Sequence, residues 1–325
     1  MSGTSADGVD AALVEIDPAR FGDGRPFRRL LGHRHEAYPD ELRQAVLDAA
    51  ADRLPPSGIC ILQRRLGGHH AAVAAAIAQE CGPAHLASLH GQTVQHWPGQ
   101  GATLQLADPY MLAEALACPV VWDLRRRDMA LGGQGAPLVP LTELWLHGRG
   151  EPWIALNLGG IANATLWDGR RIRAWDLGPA MSLLDLAALR WLDRPFDPEG
   201  SHASGRADEG LIKTWMRHPH FAKEPPKSTG REVFGQAWLE ARSGPLEALA
   251  LEDRLATLAA FTAEAVAREI HRWAPALPLG TPLRLSGGGA SHGRVLRELA
   301  LRLPECTIEE DRELPQGSRE AVSWA

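Results

Sequence analysis

Cysteine is scarce in this sequence and follows no recognisable pattern. The four cysteines, none in C-x-x-C spacing with another, are Cys60, Cys81, Cys118 and Cys306. Their scatter argues against a disulfide framework and against a cysteine zinc site, and favours buried thiols. No apolar run reaches the length of a membrane span, and no basic-then-apolar leader is present. We therefore expect a cytoplasmic protein with no membrane partner.

An excess of basic residues is also missing. Lysine and arginine total 34 against 40 aspartates and glutamates, for a net charge of −6. A nucleic-acid partner is not expected, because it requires a basic face. The charge of an anionic ligand must then be met locally, by glycine turns, helix N-termini or a metal. At 325 residues and 45% apolar composition, the chain is long enough for two domains with separate cores.

The most informative stretch lies between residues 153 and 191. Its pattern predicts an apolar strand, a Gly159-Gly160 turn, two further strands and, after Asp176, a helix. The Asp168-Gly169 pair predicts a two-residue hairpin between the second and third strands. Adjacent glycines let a phosphate approach backbone N–H groups. A carboxylate at a strand end is where open α/β sheets hold reactive groups.

Residues 1–10 form a second glycine-containing segment. They combine glycine and hydroxyl groups, which suit a nucleotide's phosphates, with an aspartate that can hold a hydrated magnesium ion. The alternative is a disordered Ser/Gly-rich terminus. However, this segment is followed by the same predicted order of elements as Gly159, namely strand, turn, strand and helix. Only the strand that would precede the segment is missing. This twofold plan predicts two related domains facing each other across a cleft, with phosphates between the two turns.

Three other segments leave alternatives open. Arg125, Arg126 and Arg127 follow a predicted strand and are either a solvated charge run or a site for an anionic substrate. Residues 225–232 form a stiff, charged segment whose simplest interpretation is an exposed connection. Residues 287–289 are three glycines between a strand and a helix capped by Ser291, which is a natural seat for a nucleotide.

Taken together, the motifs resemble one family, the anhydro-N-acetylmuramic acid kinases of the actin, sugar-kinase and heat-shock ATPase superfamily. The resemblance covers nearly the whole chain. It is carried by Met-Ser-Gly-Thr-Ser-x-Asp-Gly-Val-Asp (1–10), His-Gly-Gln-Thr-Val (90–94), Asp-x-Arg-x-x-Asp (123–128), Gly-Gly-Gln-Gly-Ala-Pro-Leu-Val-Pro (132–140), Asn-x-Gly-Gly-Ile-Ala-Asn (157–163), Pro-Pro-Lys-Ser-Thr-Gly-Arg-Glu (225–232) and Gly-Gly-Gly-Ala (287–290).

The resemblance implies an α/β fold of duplicated actin-like ATPase (ribonuclease H-like) domains. Each would be a mixed sheet flanked by helices, with an interdomain cleft. We expect the first domain at 1–148, with its first strand truncated, and the second at 149–325. The missing opening strand and C-terminal helix are interpreted as trimmed ends. A homodimer is compatible with the resemblance, but the sequence does not determine the oligomeric state.

The resemblance also implies an enzyme of cell-wall recycling that uses ATP and Mg²⁺. It would open the 1,6-anhydro bridge of anhydro-N-acetylmuramic acid with water while phosphorylating O6, giving N-acetylmuramic acid 6-phosphate. Asp176 matches the base that takes the proton of water, and Asp7 is the expected metal ligand. The expected sugar contacts are Gln92, Thr93, Arg125 and Glu320. The expected ATP contacts are Gly3, Thr4, Ser5, Ala6, Asp7, Gly8, Val9, Asp10, Asn157, Gly159, Gly160, Asn163, Gly287, Gly288 and Gly289.

The sequence departs from the family pattern near the expected base. Where the family has Asp-Thr-Gly-Pro-Gly-Asn, residues 176–181 read Asp-Leu-Gly-Pro-Ala-Met, and His292 replaces an asparagine. A divergent kinase acting on another anhydrosugar or amino sugar is therefore the alternative function. A non-enzymatic, nucleotide-gated sensor is a third possibility, and the retention of Asp7 and Asp176 argues against it.

Overall fold

A computed structural model describes residues 1–3, 6–22, 24–311, 313–315 and 317–325. The chain contains both helices and strands throughout its length, which confirms the predicted α/β class. The chain divides into two compact units, 1–148 together with 314–325, and 149–313. The domains expected from the sequence divide the chain at the same point after residue 148. They differ in the last twelve residues, which pack with the first unit.

The first unit combines helices with short two-stranded sheets. Its elements before residue 148 are β1 (Gly8–Ile16), β2 (Phe27–Ala37), α1 (Asp40–Ala50), α2 (Pro56–Cys81), β3 (Ala87–Leu89), β4 (Gln92–Trp97), β5 (Ala102–Leu106), α3 (Pro109–Leu116), β6 (Val120–Trp122), α4 (Leu124–Ala130) and α5 (Pro140–His147). β1 pairs antiparallel with β2, β3 parallel with β6, and β4 antiparallel with β5. The single mixed sheet expected for this half is not observed, because no described strand joins β1 to β3.

Helix α2 supplies much of the core of the first unit. Its buried Leu62, Leu66 and Val73 lie at spacings of four and seven residues, so they share one face. That face belongs to a cluster with Val9 of β1 and Leu89 of β3. The packing fixes the position of the N-terminal segment, which runs directly into β1.

The second unit contains one mixed sheet. Its elements are β7 (Trp153–Leu158), β8 (Ile161–Trp167), β9 (Ile172–Pro179), α6 (Met181–Leu192), α7 (Glu209–Trp215), α8 (Gln236–Glu240), α9 (Ser243–Glu247), α10 (Leu251–Trp273), β10 (Thr281–Ser286), α11 (Gly293–Arg302) and β11 (Cys306–Glu310). The strand order is β11-β10-β7-β8-β9. β7, β10 and β11 are parallel, and β8 runs antiparallel to both of its neighbours.

Local pattern predicted these strands well, with one error in the connection between β8 and β9. Trp167 pairs with Ile172, so four residues rather than two form the turn. The side chain of Asp168 explains the difference, because its Oδ1 accepts the N–H groups of Arg170 and Arg171 at 2.9 and 2.7 Å. Such an Asp-closed turn competes with the tighter hairpin.

Helix α10 lies at the centre of the second core. It is buried along most of its length, and its apolar residues cluster with those of β7, β9 and β10. A last helix, α12 (Arg319–Trp324), belongs to the first unit. Val322 and the preceding Leu314 are buried against Leu146 of α5, which explains why the predicted C-terminal boundary was displaced. In the described parts of the chain, no helix is both long and apolar enough to cross a membrane.

Candidate active site

A row of polar residues crosses the sheet of the second unit. Asn157 of β7 pairs with Asn163 of β8, Asn163 pairs with Asp176 of β9, and Ser286 of β10 pairs with Asn157. Directly paired residues point to the same face of a sheet. All four side chains keep accessible surface, whereas Leu156, the neighbour of Asn157 along β7, is fully buried. The sheet register therefore brings four polar side chains from distant parts of the sequence into one line.

Asp176 lies at the end of this row with one carboxylate oxygen engaged. Its Oδ2 accepts the backbone N–H of Thr229 at 2.9 Å, and its Oδ1 accepts no hydrogen bond from the residues that the structure describes. Burial raises the pKa of the Asp176 carboxyl, the Thr229 N–H opposes this shift, and the nearby carboxylate of Glu232 adds to it. A half-buried carboxylate with a raised pKa and one free oxygen suits a general base.

The backbone of Asp176 is also held from two sides. Its N–H donates to the carbonyl of Lys227 at 3.1 Å. Its own carbonyl lies 3.0 Å from Nε2 of His220. Burial lowers the pKa of His220 to about 4, so its ring is neutral at pH 7 and donates through the N–H of Nε2.

The Gly159-Gly160 turn adjoins the start of α6. The carbonyl of Gly159 accepts the N–H of Met181 at 2.9 Å, and the carbonyl of Gly160 accepts those of Ala180 and Ser182, both at 3.0 Å. Because a trans peptide sets N–H and C=O on opposite sides, the N–H that follows each carbonyl points away from α6. The turn therefore caps α6 with its carbonyls and directs N–H groups to its other side.

The three glycines at 287–289 lie beside that turn. β7 and β10 are parallel neighbours, so the segments that follow them meet at one edge of the sheet. Gly287 has a φ of 82°, and a Cβ there would lie 2.5 Å from Oδ1 of Asn157. A Cβ on Gly289 would lie 2.8 Å from both Leu158 and Met181, whereas one on Gly288 would meet nothing within 4 Å. Gly287 and Gly289 thus permit close packing, and Gly288 borders open space.

The departures from the family pattern occupy structural positions. Leu177 and Ala180 are fully buried, and Met181 is buried against Gly289. The Nδ1 of His292 accepts the N–H of Val295 at 3.3 Å, so His292 caps α11. The predicted cap, Ser291, was wrong, because the helix begins one residue later than its pattern indicated. Asparagine, which the family pattern has at this position, is also a favoured cap.

The N-terminal segment of the first unit is partly described. The predicted ligands Thr4 and Ser5 lie outside the described residues. Ala6 and Val9 are buried, and a Cβ on Gly8 would lie 2.3 Å from the carbonyl oxygen of Glu36, so Gly8 serves the close pairing of β1 with β2. Asp7 is exposed, and the Oδ1 of Asp10 lies 3.1 Å from His33 Nε2 and 3.2 Å from His35 Nδ1.

Gln92, Thr93 and Gly3 are linked within the first unit. The Nε2 of Gln92 donates to the carbonyl of Gly3 at 2.9 Å, and its Oε1 accepts the Tyr38 hydroxyl at 3.4 Å. Gln92 is only 1% exposed. Thr93 is half-buried and its hydroxyl accepts from Nε2 of Gln105 at 3.2 Å. These contacts hold the N-terminal segment on β4, and the expected sugar contacts of Gln92 and Thr93 stay predictions.

Arg125 is held by three groups. Its Nε donates to Nε2 of His90 at 2.8 Å, and one Nη donates to the carbonyl of Gly135 at 2.6 Å. The guanidinium also lies 5.4 Å from the ring centroid of Trp324. Burial, together with Arg125, lowers the pKa of His90 to about 3, so this histidine is a neutral acceptor. Arg125 is thus oriented before any ligand arrives.

The carboxylate of Glu320 interacts electrostatically with Asp10, Asp7 and Arg125, all in the first unit. Desolvation raises the pKa of the Glu320 carboxyl, Asp10 and Asp7 raise it further, and Arg125 opposes the shift. Repulsion among carboxylates is relieved when a cation binds between them. Magnesium takes hard oxygen ligands and keeps several waters, and the exposed Asp7 provides such an oxygen. The magnesium site expected at Asp7 stays a prediction.

The residues that hold Asp176 were missed in the sequence. Thr229 and Lys227 lie in the segment interpreted as an exposed connection, and His220 lies in no motif. Lys227 is buried instead, although lysine is almost never fully buried unless paired. The match of residues 225–232 to a family motif was the available signal. An exposed linker would not be expected to keep a family motif, so the match indicated that this segment has a structural or functional role.

Comparisons with known proteins show the family to which this chain belongs. A sequence profile of the anhydro-N-acetylmuramic acid kinases matches residues 1–325. The chain belongs to this family. It is therefore an enzyme of the kinase class, and the expected family relationship is confirmed.

Relatives from distant bacteria show the same similarity along the whole chain. An anhydro-N-acetylmuramic acid kinase of Parasynechococcus marenigrum is 40% identical over 343 residues, which is 100% of this chain and 90% of the relative. The kinase of Cupriavidus pinatubonensis is 39% identical, with 100% and 88% covered. The kinase of Streptomyces avermitilis is 40% identical, with 100% and 85% covered. The family motifs therefore lie in an alignment that leaves no part of this chain unmatched.

Proposed function

We propose that this protein transfers the γ-phosphoryl group of ATP to O6 of anhydro-N-acetylmuramic acid while water opens the 1,6-anhydro bridge. The product is N-acetylmuramic acid 6-phosphate, an intermediate of peptidoglycan recycling. Family membership supports the substrate, and the observation that carries the mechanism is the half-buried Asp176 carboxylate with a raised pKa and an uncommitted Oδ1.

Asp176 acts as the general base in this proposal. Water is a poor nucleophile, so its proton passes to Oδ1 of Asp176 as its oxygen bonds to C1 of the sugar. The C1–O6 bond breaks, and its electron pair stays on O6. That oxygen bonds to the γ-phosphorus, the bond to the bridging oxygen breaks, and ADP leaves. General-base catalysis of this kind contributes about 10²–10⁴-fold in rate.

ATP is proposed to contact the glycine segments at one sheet edge of the second unit. The N–H groups directed away from α6 by the Gly159-Gly160 turn are donors suited to phosphate oxygens. Residues 287–289 are proposed to contact the adenosine. In the first unit, residues 3–10 are the proposed phosphate segment. A magnesium ion held by Asp7 would neutralise phosphate charge, which together with positioning supplies most of phosphoryl-transfer catalysis.

The sugar is proposed to contact Arg125 and Glu320 of the first unit. His90 and Gly135 fix the guanidinium of Arg125, so it can bind a carboxylate or an amide oxygen of the sugar with little loss of side-chain entropy. Glu320 orients the substrate and is not a second base. We place the enzyme in the cytoplasm, where ATP is supplied and where the four free cysteines stay reduced.

A coupled assay tests this function. The protein is incubated with anhydro-N-acetylmuramic acid, ATP and Mg²⁺, and ADP release is followed together with the mass of the sugar product. We expect ADP and N-acetylmuramic acid 6-phosphate in equal amounts. Glucose and N-acetylglucosamine are the comparison substrates, because both carry a free O6 hydroxyl and need no ring opening. ADP formed only with these sugars would contradict the proposal.

A further inference from the structure

A buried ion pair lies next to the strand residue that precedes Asp176. Nζ of Lys227 is 2.7 Å from Oε2 of Glu269 on α10, and the two side chains are 2% and 0% exposed. The same glutamate oxygen accepts the indole N–H of Trp175 at 3.1 Å. Trp175 directly precedes Asp176 on β9. The pair therefore joins the strand that carries the proposed base to the central helix of the unit.

The pair also fixes the groups that hold the backbone of Asp176. Nζ of Lys227 donates to the carbonyl of His220 at 3.0 Å, and the imidazole of His220 donates to the carbonyl of Asp176. The carbonyl of Lys227 accepts the N–H of Asp176, and Thr229, two residues later, donates to the carboxylate. These three hydrogen bonds of Asp176 thus lead back to the segment anchored by Lys227.

We propose that the Lys227–Glu269 pair is a positioning device that sets the carboxylate of Asp176 for proton transfer, and that it contributes little to the stability of the unit. This inference rests on the proposed role of Asp176 as the base. The pair touches neither the water nor the sugar, so both members are positioning residues.

Energetics favour positioning over stabilisation. Removing two charges from water has a large desolvation cost, and the attraction between the charges often only offsets that cost. Oε1 of Glu269 is buried and has no hydrogen-bond partner among the described residues, which adds a further desolvation cost. Apolar side chains of similar size would fill the same space without that cost. The presence of an ion pair instead of apolar side chains is explained if the pair fixes the position of Asp176, which loosely packed apolar side chains would not fix.

The test replaces both charges together. A single Lys227→Met variant leaves Glu269 buried and unpaired and is expected to unfold, so the double variant Lys227→Met/Glu269→Leu is used. We expect its melting temperature to equal or exceed that of the wild type. We expect kcat to fall by about 10- to 100-fold with KM for ATP and sugar unchanged, because a displaced base costs rate and not binding.

Amide hydrogen exchange supplies a readout that does not depend on activity. The N–H of Asp176 donates to the carbonyl of Lys227, and the N–H of Thr229 donates to the carboxylate of Asp176. We expect both to exchange at least about 10-fold faster in the double variant, as local opening becomes easier while global stability is kept. The control is Glu298→Gln, which breaks the pairs that Glu298 makes with Arg294 and Arg302 on α11. It is expected to lower the melting temperature and to leave kcat and both amides unchanged.

The outcomes separate this inference from the proposed function. Unchanged exchange at Asp176 and Thr229, or an unchanged kcat, overturns the positioning role. A large fall in melting temperature shows that the pair is structural and also overturns it. If the wild type forms no ADP with the anhydrosugar, the proposed function fails instead. Faster exchange at the two amides, with global stability kept, would then still support the anchoring of Asp176.

Discussion

The carboxylate of Asp176 accepts the backbone N–H of Thr229 at 2.9 Å, across 53 positions of sequence. This single contact ties the Pro-Pro-Lys-Ser-Thr-Gly-Arg-Glu segment to the end of β9. It uses one oxygen of the proposed base and leaves the other uncommitted. It also stabilises the charged form of a carboxylate whose burial favours the neutral form. The segment therefore adjusts both the orientation and the basicity of Asp176.

Replacing Asp176 by Asn is expected to remove proton transfer and to keep binding. The carboxamide keeps an oxygen for the Thr229 N–H but takes no proton from water. We expect kcat to fall by at least about 10²–10⁴-fold, with the calorimetric Kd for ATP within about twofold of the wild type. The matched control is Asp168→Asn, in the turn at the other end of β8 and β9. Near-normal turnover in Asp176→Asn would remove this residue from the mechanism.

The pH dependence of activity follows from the raised pKa of Asp176. The base works only when deprotonated, so kcat/KM should fall as pH decreases through the pKa of Asp176. Burial raises that pKa above the ordinary aspartate value of 3.8. We therefore expect the acidic limb of the profile to lie above that value and to be absent from the residual activity of Asp176→Asn. A limb at or below the ordinary value would contradict the assigned environment.

The same pKa shift makes a prediction about stability. The folded state binds the proton of Asp176 more tightly than the unfolded state does, so stability falls as pH rises through the two pKa values. At neutral pH the charged carboxylate is therefore destabilising, and Asp176→Asn should melt at a higher temperature than the wild type. The gain should disappear at acidic pH, where the carboxyl is protonated in both states. Melting curves from pH 3 to pH 8, at intervals of about half a unit, check the sign.

Two glycine substitutions distinguish ligand approach from backbone geometry. A Cβ on Gly160 would lie 3.4 Å from Arg231 and 3.7 Å from Ser182, so Gly160→Ala should fold normally. We expect it to weaken ATP binding, because a side chain at Gly160 restricts the backbone of the turn whose N–H groups are proposed to contact phosphate. Gly287→Ala should instead lower the melting temperature, since its φ is 82° and its Cβ would meet Asn157 at 2.5 Å.

Gly244→Ala is the control for both glycine substitutions, because a Cβ there meets nothing within 4 Å. Differential scanning fluorimetry and ATP calorimetry on the three variants separate the two effects. Unchanged ATP affinity in Gly160→Ala would place the phosphates elsewhere.

Replacing Arg125 by Met is expected to weaken sugar binding. Loss of a charge-assisted contact typically costs about 1.5–3 kcal/mol, so KM for the sugar should rise by at least about 10-fold while KM for ATP stays constant. Arg126→Met is the control, because Arg126 is an exposed neighbour that pairs with Asp123. Steady-state kinetics with each substrate varied in turn decide the matter. Equal effects of the two substitutions on sugar KM would show that Arg125 is not a substrate contact.

Local pattern predicted the elements of the second unit, because its strands are apolar, short and separated by strong turn residues. The strand, turn and strand plan around Gly159 and the helix after Pro179 depend only on neighbouring residues. The contacts of Asp176 were not predictable, because Thr229 and His220 reach it through the folding of a long connection. The cap at His292 was missed since histidine seldom caps helices. The packing of 314–325 on α5 depends on tertiary contacts that periodicity does not encode.

The most direct test of the central claim follows the oxygen of water. The reaction is run in ¹⁸O-labelled water with unlabelled ATP and anhydro-N-acetylmuramic acid. The position of the label in the product is then determined by mass spectrometry and by the ¹⁸O isotope shift of the C1 signal in NMR. We predict one labelled oxygen at C1, none in the phosphate group, and loss of this product in Asp176→Asn. Label in the phosphate, or label at C1 formed at the normal rate without Asp176, would contradict the account.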